Sequence, residues 1–169
     1  MTVSELQRIT TLFVATEDRV RLAGLDAEGR RQVLWLTRRL LERLLPVLLG
    51  WLERQTPDAD TPHAEVLQAF AQQAAQAELV PHAPVQPEEA SCSWLVAEVD
   101  VVRDVRQVGL VFKGGKGEQA ALHLVPQALR QWLGIVHETY RAADWPLAVW
   151  PQWMEEGKAP GLRAPGVLH

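Results

Sequence analysis

The chain has 169 residues and a formal charge of −4, which fits one ordinary domain. With 47% apolar and 22% charged residues, the composition excludes a disordered or collagen-like chain. A single cysteine, Cys92, excludes an internal disulfide and indicates a reducing compartment. No leader pattern is recognised, and no apolar run in the first half approaches the roughly 20 residues of a membrane span. We therefore expect a cytoplasmic protein without a membrane partner.

The middle of the chain differs in charge from its two flanks. Residues 57–93 contain six acidic residues and no lysine or arginine, and five prolines lie in the same stretch. This composition predicts an acidic helical and proline-rich connector over residues 55–93. We expect it to join two similar halves, at about 8–54 and 94–143, into one domain over residues 1–143.

The first half begins with a predicted set of strands. Val20 and Leu22 alternate with arginines, which is typical of a half-buried strand. Gly29 then suits a hairpin turn, because glycine tolerates a positive φ. Leu34 and Leu36 continue the alternation in the next strand.

The second half follows the same order of local signals. Shifting the chain by 88 residues aligns seven identical residues over the 31 positions 19–49, including Gly29 with Gly117. Each half therefore reads as strands, a hairpin and a helix. The predicted fold class is α+β, with antiparallel sheets in a small sandwich-like arrangement and a helical insertion between the two repeats.

A leucine-rich helix is predicted over residues 37–54. Its apolar residues cover roughly 200° of the helix circumference, about twice the stripe of an ordinary surface helix. We expect this surplus to form a homodimer interface. The candidate self-association residues are Leu41, Leu45, Leu48, Leu49, Trp51 and Leu52.

The connector contains a second predicted helix, from Glu65 to about Leu79. Val66, Leu67, Phe70 and Ala74 lie on one side, and the other side is rich in glutamine. We expect the apolar side to cover the leucine-rich helix.

A third helix is predicted from Pro126, which suits a first helical position. An extension over residues 144–169 follows it, rich in tryptophan and proline and flexible from about residue 157. Trp145, Trp150 and Trp153 have too few aliphatic neighbours to form a core of their own. They either fold back on the same chain or dock on a protein partner.

Signals for chemistry are sparse. The histidines lack metal-ligand spacing, and neither a zinc set nor a cofactor motif is found, so we predict no metal and no cofactor. Glycines between Lys113 and Lys116 could form an anion-binding loop, although a hairpin turn explains them. The candidate anion contacts are Arg38, Arg39, Arg43, Lys113 and Lys116. The acidic composition disfavours nucleic acid as a partner.

The order of elements resembles the head domain shared by the end-joining repair scaffolds and the centriolar cartwheel protein. The matching stretch is residues 91–140, with a hairpin over 99–112, a strand over 119–124 and the helix from Pro126. The inserted helices would lie within residues 34–52 and 66–79. The resemblance implies a small β-sandwich that dimerises and acts as an assembly scaffold without catalysis.

These observations favour a non-catalytic protein–protein interaction or assembly module that forms a homodimer and binds a further protein partner. No nucleophile, base and orienting group can be assembled from the motifs, so we do not expect an enzyme. The alternatives are a small-molecule enzyme whose site the sequence does not reveal, and a scaffold associated with nucleic acid.

Overall fold

The computed structural model describes residues 3–55, 63–89 and 91–156. The flexibility expected from about residue 157 concerns residues outside these ranges. The described residues combine helices with strands, as the α+β prediction requires. In chain order the elements are β1 (Ser4–Val14), β2 (Arg19–Asp26), β3 (Arg31–Leu36), α1 (Arg38–Gln55), α2 (Ala64–Ala77), β4 (Cys92–Arg103), β5 (Val108–Gly114), β6 (Gln119–Leu124), α3 (Pro126–Ala142) and α4 (Gln152–Glu156).

The strands form one closed barrel in the order β1-β2-β3-β4-β5-β6. The predicted sandwich-like arrangement is therefore wrong. Strands within each half pair antiparallel, and two parallel pairs, β3 with β4 and β1 with β6, join the halves. Because every strand has two neighbours, the barrel has no free edge.

Bulges in the two longest strands explain the closure. The register of β1 shifts between Leu6 and Arg8, and that of β4 shifts between Val96 and Glu98. A bulge bends a strand and increases its twist. In each strand, the residues before the bulge include those that pair parallel with the other half. The bend therefore lets β1 and β4 each pair with one strand of the first half and one strand of the second.

The predicted spacing of 88 residues recurs in the element bounds. Strand β3 begins at Arg31 and β6 at Gln119, while β1 begins at Ser4 and β4 at Cys92. Gly29 and Gly117 have φ values of 81° and 85°. Both predicted hairpin turns are thus present with glycine in the left-handed conformation. That the two halves are repeats of each other stays a prediction.

One hydrophobic core contains side chains from the barrel and the helices. Leu22 and Leu110 from β2 and β5 are 0% exposed, and they belong to the same cluster as Leu48 of α1 and Leu133 of α3. The cluster continues into the tryptophan extension as far as Met154. Trp145, Trp150, Trp153 and Met154, from the stretch expected to follow the domain, therefore contribute side chains to its core.

Residues 80–89, which belong to no helix or strand, form hydrogen bonds with the first half. We call this segment the strap. The Val85 amide donates to the Thr10 hydroxyl at 2.8 Å, Arg8 donates to the Ala83 carbonyl, and Arg31 pairs with Glu88. These contacts hold the strap on β1 and β3.

Candidate functional site

Helix α2 turns its glutamines toward the protein and its apolar side chains toward solvent. Gln68 and Gln72 are 3% and 0% exposed, whereas Phe70 is 62% exposed. The sequence predicted the opposite orientation, with the apolar side covering α1, so that prediction is wrong. The reason lies in the surface that α2 meets, which offers hydrogen-bonding groups of α3 and α1.

Hydrogen bonds fix the inner side of α2 to α3. The Gln72 side-chain amide donates to the Arg130 carbonyl at 2.8 Å, and the Arg130 guanidinium donates to Gln68 Oε1 at 2.6 Å. In the other direction, the Gln131 amide donates to the Ala75 carbonyl at 2.8 Å. A buried amide is tolerated where it finds such partners.

Arg130 is the cation of this contact and is 6% exposed. Burial lowers its pKa to about 10, with Glu53 acting in the opposite direction, so it stays charged near neutral pH. Its guanidinium carbon lies 5.4 Å from the centre of the Trp153 ring. Among the described residues, Arg130 Nη1 and Gln72 Oε1 have no hydrogen-bond partner. The hydrogen bonds with Arg130 thus place the glutamine side of α2 against α3.

The outer side of α2 is an exposed apolar ridge, which we call the α2 ridge. Val66, Leu67 and Phe70 are 49%, 38% and 62% exposed. Ala74 and Ala77 are exposed on the same side. At 1.5 Å per residue, the ridge from Val66 to Ala77 is about 17 Å long. Contiguous exposed apolar side chains of this kind mark interaction sites.

Acidic residues flank the α2 ridge at both ends. Glu65 precedes Val66, Glu78 follows Ala77, and both glutamates are exposed. Residues 57–93 contain no lysine or arginine. The surroundings of the ridge within its own segment are therefore purely acidic.

The six candidate self-association residues on α1 are enclosed within the subunit. Leu41, Leu45, Leu48 and Leu52 are 0% exposed, and Leu49 and Trp51 are 5% and 3% exposed. The surplus apolar surface from which the homodimer was predicted is therefore absent in the structure. These side chains form core rather than an exposed surface.

The tryptophan extension contributes to this enclosure. Trp153 Nε1 donates to Glu53 of α1 at 3.2 Å. Trp145 and Trp150 pack edge-to-face on Tyr140 of α3, with ring centres 5.1 Å and 5.4 Å apart. All three tryptophans are at most 8% exposed. Of the two possibilities left open by the sequence, the structure shows folding back on the same chain.

The candidate anion contacts do not meet in one site. Arg38 pairs with Glu42 at 2.8 Å, and Lys113 pairs with Asp100 at 2.5 Å. Lys116 lies in the β5–β6 turn, whereas α1, which carries the three arginines, begins beyond the far end of β3. The predicted members are these: Arg38, Arg39, Arg43, Lys113 and Lys116.

Lys116 lies in a hairpin turn, and its backbone amide already donates a hydrogen bond within the turn. Glu118 Oε1 accepts the Lys116 amide at 2.7 Å, and the Gly114 amide donates to the Glu118 carbonyl at 2.9 Å. A carboxylate of the chain thus stands where an anion would bind. The hairpin explains the glycines of this loop.

A cleft of about 560 Å³ opens at the end of the barrel where both hairpin turns lie. Gly29 and Gly117 line it from the two turns, and Gln32, Cys92 and Trp94 line it from the strands. Trp94 Nε1 donates to Gln32 Oε1 at 3.2 Å. Sequence reasoning missed this cleft, because only barrel closure brings the two turns together.

Asp26 is the buried carboxylate beside the cleft, with a side chain 1% exposed. It accepts hydrogen bonds from the Ser4 hydroxyl at 3.0 Å and from the amides of Glu28 and Arg30 at 3.0 Å and 2.9 Å. Burial opposes its ionisation, but these bonds and the Arg30 guanidinium outweigh it, and the pKa lies below the usual value. The hydrogen bonds that the Asp26 carboxylate accepts thus stabilise the turn.

Among the residues that the structure describes, no group of three or more histidine, cysteine or acidic side chains is placed to hold a metal ion. Within the same ranges, no helix has both the length and the apolar character needed to span a membrane.

No protein-family model, curated protein or solved structure matches the chain. Nothing therefore links the chain to the head-domain superfamily, and that resemblance stays a prediction.

Proposed function

We propose that the protein is a non-catalytic protein–protein interaction module and that its partner binds the α2 ridge. The observation that carries the proposal is the orientation of α2, which buries Gln68 and Gln72 while Phe70 is 62% exposed. Full burial of a Val, Leu or Phe side chain is worth about 1.5–3 kcal/mol. Because the apolar side chains of the ridge are exposed, a partner that covers them would gain this free energy of burial.

The structure favours the α2 ridge over the surfaces suggested by the sequence. The α1 leucines and the three tryptophans of the extension are buried in the subunit. A partner can reach neither set without unfolding part of the core. Self-association stays a prediction, and the six α1 side chains proposed for it are buried in the subunit.

The cleft at the barrel end supports the alternative of a small-molecule enzyme less than the α2 ridge supports an interaction module. Asp26 is held by the Ser4 hydroxyl and two backbone amides, and Glu118 by the Lys116 amide. A carboxylate that forms a turn in this way is poorly placed to exchange protons with a substrate. The geometry of these two carboxylates thus favours binding over catalysis.

A peptide selection tests the proposal. Unbiased random peptides of about 20 residues, long enough for several helical turns, would be displayed and selected on the immobilised full chain. Each selected peptide would then be measured against Phe70→Glu. We expect binding to weaken by about tenfold or more, because a charge replaces the most exposed apolar side chain of the ridge.

Val105→Glu provides the matched control, since Val105 is 83% exposed but lies in the β4–β5 connection. We expect it to leave peptide binding unchanged. Circular dichroism should show both variants folded, because both positions are exposed. The proposal fails if no selected peptide distinguishes Phe70→Glu from the control.

A further inference from the structure

We infer that the partner of the α2 ridge is an amphipathic helix with basic residues beside its apolar stripe, an inference that rests on the proposed function. Val66, Phe70, Ala74 and Ala77 follow one another at helical spacing along one side of α2. Such a ridge about 17 Å long matches a second helix packed alongside for three turns. Helix-on-helix docking uses apolar anchors at this spacing.

Charge decides which helix fits. Glu65 and Glu78 stand at the two ends of the ridge, and the whole segment 57–93 lacks a compensating cation. Opposite charges at the rim of an interface speed association and reject partners of the wrong sign. Lysine or arginine beside the partner's apolar stripe would meet these glutamates.

The same charges disfavour a second copy of this chain as the occupant. In an antiparallel pair of α2 helices, Glu65 of one copy would lie near Glu78 of the other. In a parallel pair, each glutamate would approach its own counterpart. Either arrangement places like charges together, which costs free energy.

Two designed peptides test the inference on the full chain. Both would be helices of about 18 residues with the same leucine stripe, flanked by lysines in one peptide and by glutamates in the other. Fluorescence anisotropy would give the two dissociation constants. We expect the lysine peptide to bind about tenfold more tightly, and the preference to shrink when salt is raised from about 0.05 M to about 0.3 M.

Variants of the protein assign the preference to the two glutamates. Glu65→Lys with Glu78→Lys should reverse it, so that the glutamate peptide binds more tightly. Glu65→Gln with Glu78→Gln should abolish it, and this pair guards against a loss of helix α2 in the lysine variant. Phe70→Glu should weaken both peptides.

The outcomes separate this inference from the proposed function. Equal binding of the two peptides, still lost in Phe70→Glu, would overturn the basic partner but leave the ridge as a docking site. If Phe70→Glu weakens the binding of neither peptide, the result counts against both the basic partner and the ridge as a docking site. A dimer in light scattering that Phe70→Glu dissociates would assign the ridge to a second copy. Peptide binding seen only after deletion of residues 157–169 would assign the ridge to this C-terminal segment. Either the dimer or this result would overturn the inference.

Discussion

At the scale of single residues, Asp26 stabilises the first hairpin from a buried position. Its carboxylate accepts the Ser4 hydroxyl and the amides of Glu28 and Arg30. Burial disfavours its charged form, but the hydrogen bonds outweigh burial and lower the pKa. Because the folded pKa lies below the unfolded value, ionisation of Asp26 stabilises the folded state.

The sign of this shift gives a prediction for Asp26→Asn. The contribution of Asp26 is complete above the unfolded pKa of about 3.9 and is lost as the pH falls through the lower folded pKa. We expect Asp26→Asn to lower the free energy of unfolding by about 1–3 kcal/mol near neutral pH. It should also reduce the loss of stability on acidification. Urea unfolding followed over the acidic range measures both effects.

Glu28→Gln is the control for this prediction, because Glu28 belongs to the same turn and its side chain is 66% exposed. We expect it to follow the wild-type dependence on pH. An Asp26→Asn protein with the wild-type acid profile would show that Asp26 contributes no linked stability.

At the scale of elements, α1 and the tryptophan extension cover each other. The sequence showed a helix with too much apolar surface and three tryptophans without a core. The structure joins the two, since Trp153 reaches Glu53 and the cluster that contains Leu48 also contains Trp150. Each feature alone suggested an exposed apolar surface, but the α1 leucines and the three tryptophans are buried in one core.

This packing predicts the behaviour of Leu48→Glu. Leu48 is 0% exposed, and burying an unpaired carboxylate costs several kcal/mol, about the stability margin of a small domain. We expect the variant to lose its structure rather than become a folded monomer. Circular dichroism and light scattering, with Arg43→Glu on the exposed side of α1 as the control, would measure this. A folded Leu48→Glu chain with half the wild-type mass would restore α1 as an interface.

The elements also show how far sequence patterns reach. The strands, the hairpin glycines and helices α1, α2 and α3 were predictable, because alternation, turn chemistry and helical spacing are local. The orientation of α2 was not. Periodicity locates the apolar side of a helix but does not say which side faces the protein. Uncharged amides such as Gln72 can be buried once a carbonyl such as that of Arg130 accepts their hydrogen bonds.

At the scale of the whole molecule, neither half is complete without the other. The barrel closes through two parallel strand pairs, each of which joins the first half to the second. A separated half would expose unpaired edges and the inner apolar faces of its strands. Local patterns could not reveal this closure, because it depends on bulges and on pairing between strands far apart in the chain.

Separating the halves tests that dependence. We expect residues 1–56 produced alone to be unfolded by circular dichroism and by NMR shift dispersion. The same residues co-expressed with residues 57–169 should copurify with them as a folded complex, which serves as the control. A well-dispersed NMR spectrum from the isolated half would contradict the prediction.

The two turn glycines offer a means of recognising distant relatives. Gly29 and Gly117 both adopt a left-handed backbone, with φ of 81° and 85°, and both border the same cleft. Any other residue would be strained there, so descendants of this chain should keep the pair even after their core side chains have diverged. An ancestry search weighted toward these two positions, 88 residues apart, could detect kinship where overall identity has faded.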